Sequence, residues 1–141
     1  MPMWKIYHPE NAFNDADKQQ LAQNITELYS SFLPKFYVNV FFHPIAPTTC
    51  YIGGQESNDF VRVAIDHIAR SLTSPEAQQQ FLQGCTQVLN PYVHERGFRW
   101  ELHVNETSFD LWTINGFKPP LPNTKAEAKW RAENKPSEYY Q

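Results

Sequence analysis

Residues 21–32 read LAQNITELYSSF, and residues 81–92 read FLQGCTQVLNPY. In both segments apolar residues occupy the first, fifth, eighth and twelfth positions, which is the spacing of one buried face of an α-helix. The second segment begins sixty positions after the first. Asn14 and Ser74, also sixty apart, are typical N-cap residues, and Pro75 suits the first turn of a helix. The sequence therefore predicts an internal repeat built around two helices.

Strand-like segments flank both helices, because β-branched and aromatic residues are concentrated there. These segments are residues 2–7, 36–42, 60–66 and 98–104. Two β-α-β units in tandem predict an α+β fold, a four-stranded sheet with both helices on one face, because each crossover is right-handed. The units span about residues 2–58 and 59–116 of a domain covering 1–122. The remaining tail, 123–141, is expected to cross a surface with a short helix near 125–134 that contains Trp130.

The composition excludes several classes of protein. The formal net charge is −3 and the pI about 5.9, so the chain lacks the positive field that a nucleic-acid partner requires. No apolar run is long enough to span a membrane and the start does not resemble a signal peptide, so a soluble, cytoplasmic protein is expected. Cys50 and Cys85 are interpreted as packing residues, and the five scattered histidines give no metal-ligand spacing.

The face of the sheet away from the helices is expected to be partly aromatic. Strand alternation directs Tyr37 and Phe41 to that face, opposite to Val38, Val40 and Phe42. Such a surface would be exposed in a monomer, so oligomerisation is predicted.

Pro2 is the main candidate for chemistry. Removal of the initiator Met would leave its secondary amine as the N-terminus, and a pocket or nearby cations would lower the pKa of that amine and make it a general base. A pKa held high would instead make the amine a proton donor. The alternative is that Pro2 has no catalytic role and is only the first residue of a strand.

Two β-α-β units that begin directly at a penultimate proline resemble the tautomerase superfamily, and most closely its cis-3-chloroacrylic acid dehalogenase branch with that branch's fungal relatives. The resemblance covers roughly residues 2–122. It is carried by Pro2–Tyr7, residues 21–26, Gly53-Gly54, Arg70-Ser71 and the segment Trp112, Asn115-Gly116, Pro119-Pro120. It implies a homotrimer with no cofactor, active sites at subunit edges, and small unsaturated or enolic acids as substrates.

The family's site residues carry over only in part. Arg70 matches the second of two arginines that bind the substrate carboxylate, and His67 stands at the first, where it would help when protonated. Tyr29 falls on a carboxylate-binding histidine, and His103 on a tyrosine that helps to activate water. Ile114 replaces the glutamate that activates water. For Arg70, His67, Tyr29 and His103 the alternative is an ordinary surface, packing or interface role.

Three functions remain open. The first is a cofactor-free tautomerase or isomerase in which Pro2 moves a proton and Arg70 holds a small 2-oxo or enol carboxylate. The second is a hydratase or dehalogenase of 3-substituted acrylic or propiolic acids, in which His103 would have to activate water because Ile114 cannot. The third is a non-catalytic trimeric binding module. A ferredoxin-like dimeric barrel is a rival architecture, because it also uses two β-α-β units.

Overall fold

A computed structural model describes residues 1–140. The elements in chain order are β1 (Pro2–Pro9), α1 (Asp15–Tyr29), β2 (Asn39–Ile45), β3 (Tyr51–Ile52), β4 (Gln55–Glu56), β5 (Phe60–His67), α2 (Pro75–Leu89), β6 (Arg99–Glu106) and α3 (Lys125–Glu133). The main sheet has the order β2-β1-β5-β6, with parallel outer pairs and an antiparallel central pair. The two β-α-β units thus meet at β1 and β5, and the predicted fold class is confirmed.

Both main helices begin where the sequence predicts. Asn14 Oδ1 accepts a hydrogen bond from Asp17 N at 2.8 Å, and Asp17 Oδ2 accepts one from Asn14 N at 3.1 Å, which completes a capping box at α1. At α2, Ser74 Oγ accepts from Ala77 N at 3.1 Å and Pro75 is the first helical residue. These local bonds satisfy backbone groups that a helix start leaves free.

The core lies between the helices and one face of the sheet. Alternate residues of β1 are buried, and Trp4 and Ile6 are completely inaccessible to solvent. Leu21 and Ile25 of α1 and Cys85 and Leu89 of α2 cover them. Cys85 is therefore a packing residue, as the sequence predicted.

Tyr37 does not lie on the open face of the sheet, and this prediction is wrong. Residues 35–37 form a 3₁₀ turn after Pro34, and β2 begins only at Asn39. The turn removes Tyr37 from the strand alternation and buries its ring against Trp112, with centroids 4.9 Å apart. Phe41 does lie on the open face, with 49% of its surface exposed.

The predicted C-terminal helix is present as α3, and it packs against its own chain. Trp130 is completely buried, and its indole Nε1 donates to Ser137 O at 2.8 Å. Aromatic rings surround it, namely Phe36, Tyr37, Phe117 and Tyr139. Among the described helices, none is long and apolar enough to cross a membrane.

Candidate active site

Pro2 begins the central strand β1, on the face that the helices cover, and is buried. In the antiparallel register it lies opposite His67, the last residue of β5. The carbonyl of Met1 accepts a hydrogen bond from Ile68 N at 3.1 Å, which extends the pairing by one residue. The amino terminus of the chain is therefore held at a defined place on the sheet.

A small cavity of about 50 Å³ adjoins Met1 and Pro2. Its wall combines three residues singled out by the sequence, Tyr29, His67 and Arg70, with aromatic and aliphatic side chains that include Phe32 and Phe81. Four of the five predicted site residues thus come together: Pro2, Tyr29, His67 and Arg70.

The environment of the chain terminus favours a neutral amine. The pKa of the Met1 amino group is lowered to about 4; burial is the largest cause, the positive charge of Arg70 also lowers it, and the carboxylate of Glu127 raises it. The Met1 amine is therefore neutral at pH 7 in this environment.

A chain of hydrogen bonds links β1, α1 and β5 behind the cavity. Trp4 Nε1 donates to Tyr29 Oη at 3.0 Å, and Tyr29 Oη lies 2.9 Å from His67 Nε2. Because an indole N–H can only donate, Tyr29 must accept from Trp4. The Tyr29 hydroxyl is thereby fixed between two buried rings.

The sequence predicted that His67 would assist Arg70 only when protonated. Its side chain is buried and lies against Phe81, with ring centroids 4.5 Å apart. The pKa of His67 is lowered to about 4; burial is the largest cause, the nearby N-terminal charge also lowers it, and Glu106 raises it. At neutral pH His67 is therefore uncharged, and it does not supply a second cation for a carboxylate.

Arg70 already binds a carboxylate of its own chain. Arg70 Nη2 donates to Glu127 Oε1 at 3.0 Å and to Oε2 at 3.2 Å, and Nη1 donates to the Ala69 carbonyl at 2.9 Å. A longer bond of 3.3 Å joins Nη2 to the Phe32 carbonyl. Glu127 lies in the first turn of α3 and its side chain is only 4% exposed.

Sequence reasoning missed Glu127. Thr124 caps α3, and a Glu three residues after a Thr cap is the pattern of a capping box. That signal places Glu127 at a helix start without revealing its burial or its partner. Near the same group, burial raises the pKa of the Tyr37 phenol and the charge of Glu127 raises it further. Among residues 1–140, Tyr37 Oη has no hydrogen-bond partner.

His103 is not brought to Pro2 within one chain. His103 lies on β6, where it pairs with Ala64 of β5. Pro2 instead pairs with His67 of β5, and His67 pairs with Glu106 of β6, which is three residues after His103. An odd number of steps places His103 on the opposite face of the sheet. There its Nδ1 lies 2.9 Å from Arg62 Nη2.

Ile114, at the position of the family's glutamate, packs against the core. Its backbone bridges to Phe117 around a tight turn in which Asn115 and Gly116 have φ of 50° and 82°. The turn is therefore present, but the aliphatic side chain of Ile114 cannot accept or donate a proton.

Two fused β-α-β units, with a proline at the start of the first strand beside buried polar groups, define a tautomerase-type catalytic fold. The chain belongs to the Tautomerase_3 family, described as "Putative oxalocrotonate tautomerase enzyme", whose profile matches residues 1–135. The resemblance to the tautomerase superfamily is thereby confirmed. No match is found among curated proteins.

Solved structures agree with this family. Native RhCC from Rhodococcus jostii RHA1 is 42% identical, with a TM-score of 0.95 over 97% of this chain and 99% of that chain. A probable enzyme from the thermophilic fungus Aspergillus fumigatus is 41% identical, with a TM-score of 0.93 over 99% of this chain and 98% of that chain.

Two more distant structures share the fold. N1, a member of the cis-3-chloroacrylic acid dehalogenase family, is 18% identical, with a TM-score of 0.74 over 94% of this chain and 97% of that chain. A fused 4-OT described as a symmetric trimer is 14% identical, with a TM-score of 0.67 over 82% of this chain and 94% of that chain.

Proposed function

We propose that this protein is a cofactor-free tautomerase in which Pro2, after removal of Met1, transfers a proton between oxygen and carbon of a small keto–enol compound. The observation that carries the proposal is the buried position of the chain terminus beside Arg70, an environment that lowers the pKa of the Met1 amine to about 4 and that the proposal extends to the Pro2 amine. A neutral secondary amine at this position is a general base under physiological conditions.

The chemical step needs one proton carrier. The lone pair of the Pro2 nitrogen accepts the enol O–H proton, and the electrons of the broken bond leave an enolate. The protonated proline then gives the same proton to the carbon, which forms the ketone and restores the neutral amine. His67 Nε2 is bonded to Tyr29, so Nδ1 is the ring nitrogen that can contact a substrate oxygen. The apolar wall excludes water and strengthens such contacts.

Hydration or dehalogenation of an acrylic or propiolic acid has less support. It requires a base for water, and Ile114 cannot act as one. The nearby carboxylates are engaged, Glu127 by Arg70 and Glu106 by the Leu72 backbone N–H at 2.8 Å. His103 lies across the sheet. Proton transfer by Pro2 alone requires none of these groups.

A homotrimer is part of the proposal. The open face of the sheet carries the half-exposed ring of Phe41 among charged groups, including the Lys5–Asp66 pair at 3.4 Å. Such a mixed face suits an interface between copies better than solvent. A structure with the same fold, the fused 4-OT, is described as a symmetric trimer, which supports this proposal.

The test is ketonisation of phenylenolpyruvate and of its methyl ester, followed by ultraviolet absorbance, with protein whose mass shows that Met1 is absent. Pro2→Ala keeps a terminal amine but replaces the secondary amine by a primary one. Pro2→Leu is designed to retain Met1, because a bulky second residue blocks its removal, and converts the nitrogen at position 2 to an amide.

We expect turnover of at least one substrate by the native protein and a loss of about 10²–10⁴-fold in Pro2→Leu, the usual contribution of a general base. Pro2→Ala should lie between the two. Equal rates for the native protein and Pro2→Leu, with unchanged circular dichroism, would contradict the proposal and leave a binding module as the remaining interpretation.

A further inference from the structure

We infer that Glu127 acts as a built-in carboxylate for Arg70, so that the substrate entering beside Pro2 is an uncharged aldehyde, ketone, enol or ester rather than a free acid. The inference rests on the proposed function and names its substrate class. It reverses the small-carboxylate substrate that the sequence predicted.

The first step is that Arg70 Nη2 is already occupied. Nη2 donates to both oxygens of Glu127 and more weakly to the Phe32 carbonyl, and Nη1 donates to the Ala69 carbonyl. A bidentate substrate carboxylate needs two neighbouring nitrogens of the guanidinium. Nη2 belongs to both such pairs, beside Nε and beside Nη1, and it already donates to Glu127. Neither pair therefore has both nitrogens available while Glu127 is in place.

The second step is that Glu127 is held firmly. Its Oε1 also accepts a hydrogen bond from Asn123 N at 3.1 Å, and its own N–H is capped by Thr124 Oγ1 at 3.3 Å. One turn further along α3, the buried ring of Trp130 anchors the helix to the core. A free acid would have to displace an ordered group of the same chain, which competes at a high effective concentration.

The third step is that residues 1–140 of one chain supply no spare positive charge to the cavity wall. His67 is neutral because its pKa is lowered to about 4, mainly by burial, and the Met1 amine is neutral for the same reason. The proposed function gives the Pro2 amine the same neutral state. Arg70 and Glu127 together carry no net charge. A carboxylate brought into this cavity would be a buried ion without a counterion, beside the like charge of Glu127.

The fourth step is that the rest of the wall suits an apolar, neutral molecule. Phe32, Leu33, Ile68, Leu72 and Phe81 supply aromatic and aliphatic surface. Such a wall stabilises apolar groups and gives no compensation to a charge.

The experiment compares phenylenolpyruvate with its methyl ester, which differ in one negative charge and share the reacting enol. The native protein should have a kcat/KM for the ester that exceeds the value for the acid by about tenfold or more, the equivalent of one unmade bond to a charged group. This ratio requires no variant. A native preference for the acid would overturn the inference.

Glu127→Gln frees Arg70 and should move the ratio toward the acid by a similar factor. The double variant Arg70→Gln/Glu127→Gln removes both charges and should restore the preference for the ester. Glu133→Gln is the matched control, because Glu133 lies exposed on the same helix and bonds only to Ser137 among the described residues. An unchanged ratio in folded Glu127→Gln would also overturn the inference.

Failure of the proposed function has a different signature. In that case neither substrate is converted and Pro2→Leu equals the native protein. Binding then decides the inference, by titration of hydrocinnamate and hydrocinnamide into the native protein under nuclear magnetic resonance. Tighter binding of the amide supports it, and tighter or equal binding of the acid overturns it.

Discussion

Replacing Tyr29 by Phe tests the hydrogen-bond chain behind the cavity. The change removes a single oxygen and keeps the ring in place. That oxygen accepts from Trp4 Nε1 at 3.0 Å and lies 2.9 Å from His67 Nε2. Trp4 is completely buried and His67 is 6% exposed, so solvent has little access to the groups left behind.

The expected loss of stability follows from these two contacts. A buried polar group that loses its partner costs about 1–3 kcal/mol. Two such groups, with partial relief at His67 from the cavity, give about 2–4 kcal/mol for Tyr29→Phe. For a chain of this length the melting temperature should fall by about 10 °C.

The assay is urea unfolding followed by far-ultraviolet circular dichroism at one protein concentration, since association would shift the midpoint. Tyr140→Phe is the matched control, because Tyr140 is fully exposed and should change little. If Tyr29→Phe loses less than about 0.5 kcal/mol, as expected for a surface change, the hydrogen-bond chain does not stabilise the fold.

Two further predictions concern the packing of α3 on the core and the loss of folding stability at acidic pH. Trp130→Ala should destabilise the protein by about 3–5 kcal/mol in urea, because a fully buried indole is removed, while half-buried Trp100→Ala should cost less. A loss of about 0.5 kcal/mol or less for Trp130→Ala, as for a surface change, would contradict the packing of α3 on the core. His67 has a folded pKa of about 4 against 6.5 unfolded, so the unfolded chain binds more protons between these values and stability should fall by about 3 kcal/mol as pH drops from 6.5 to 4. Thermal melts between pH 4 and 6.5 should show that the melting temperature of His67→Gln falls less steeply with decreasing pH than that of the native protein. An equally steep fall would refute the lowered pKa of His67.

The parts of the fold that the sequence predicted are those with local causes. Asn14 and Ser74 mark the helix starts by bonds to backbone groups three residues away. The spacing of apolar residues along α1 and α2 then predicts which face of each helix is buried. Tyr37 was misplaced because its burial depends on Trp112 and Trp130, which lie far along the chain.

The candidate site was predicted in part for the same reason. Pro2 and Arg70 were identified from their positions and residue types, and the structure places both at one cavity. Glu127 meets Arg70 across 57 positions of sequence, and no local pattern records that pair. The neutral state of His67 depends on its burial, and that burial comes from tertiary contacts which the sequence pattern does not predict.

The two fused units share a single amino terminus. Because β1 and β5 run antiparallel at the centre of the sheet, Phe60 opens the second unit at the opposite end from Pro2, near a separate cavity of about 340 Å³. The nitrogen of Phe60 is a peptide amide, so this second position cannot hold a basic amine. If Pro2 is the proton carrier, the fused pair of β-α-β units therefore offers one such nitrogen per chain, at one end of the sheet only.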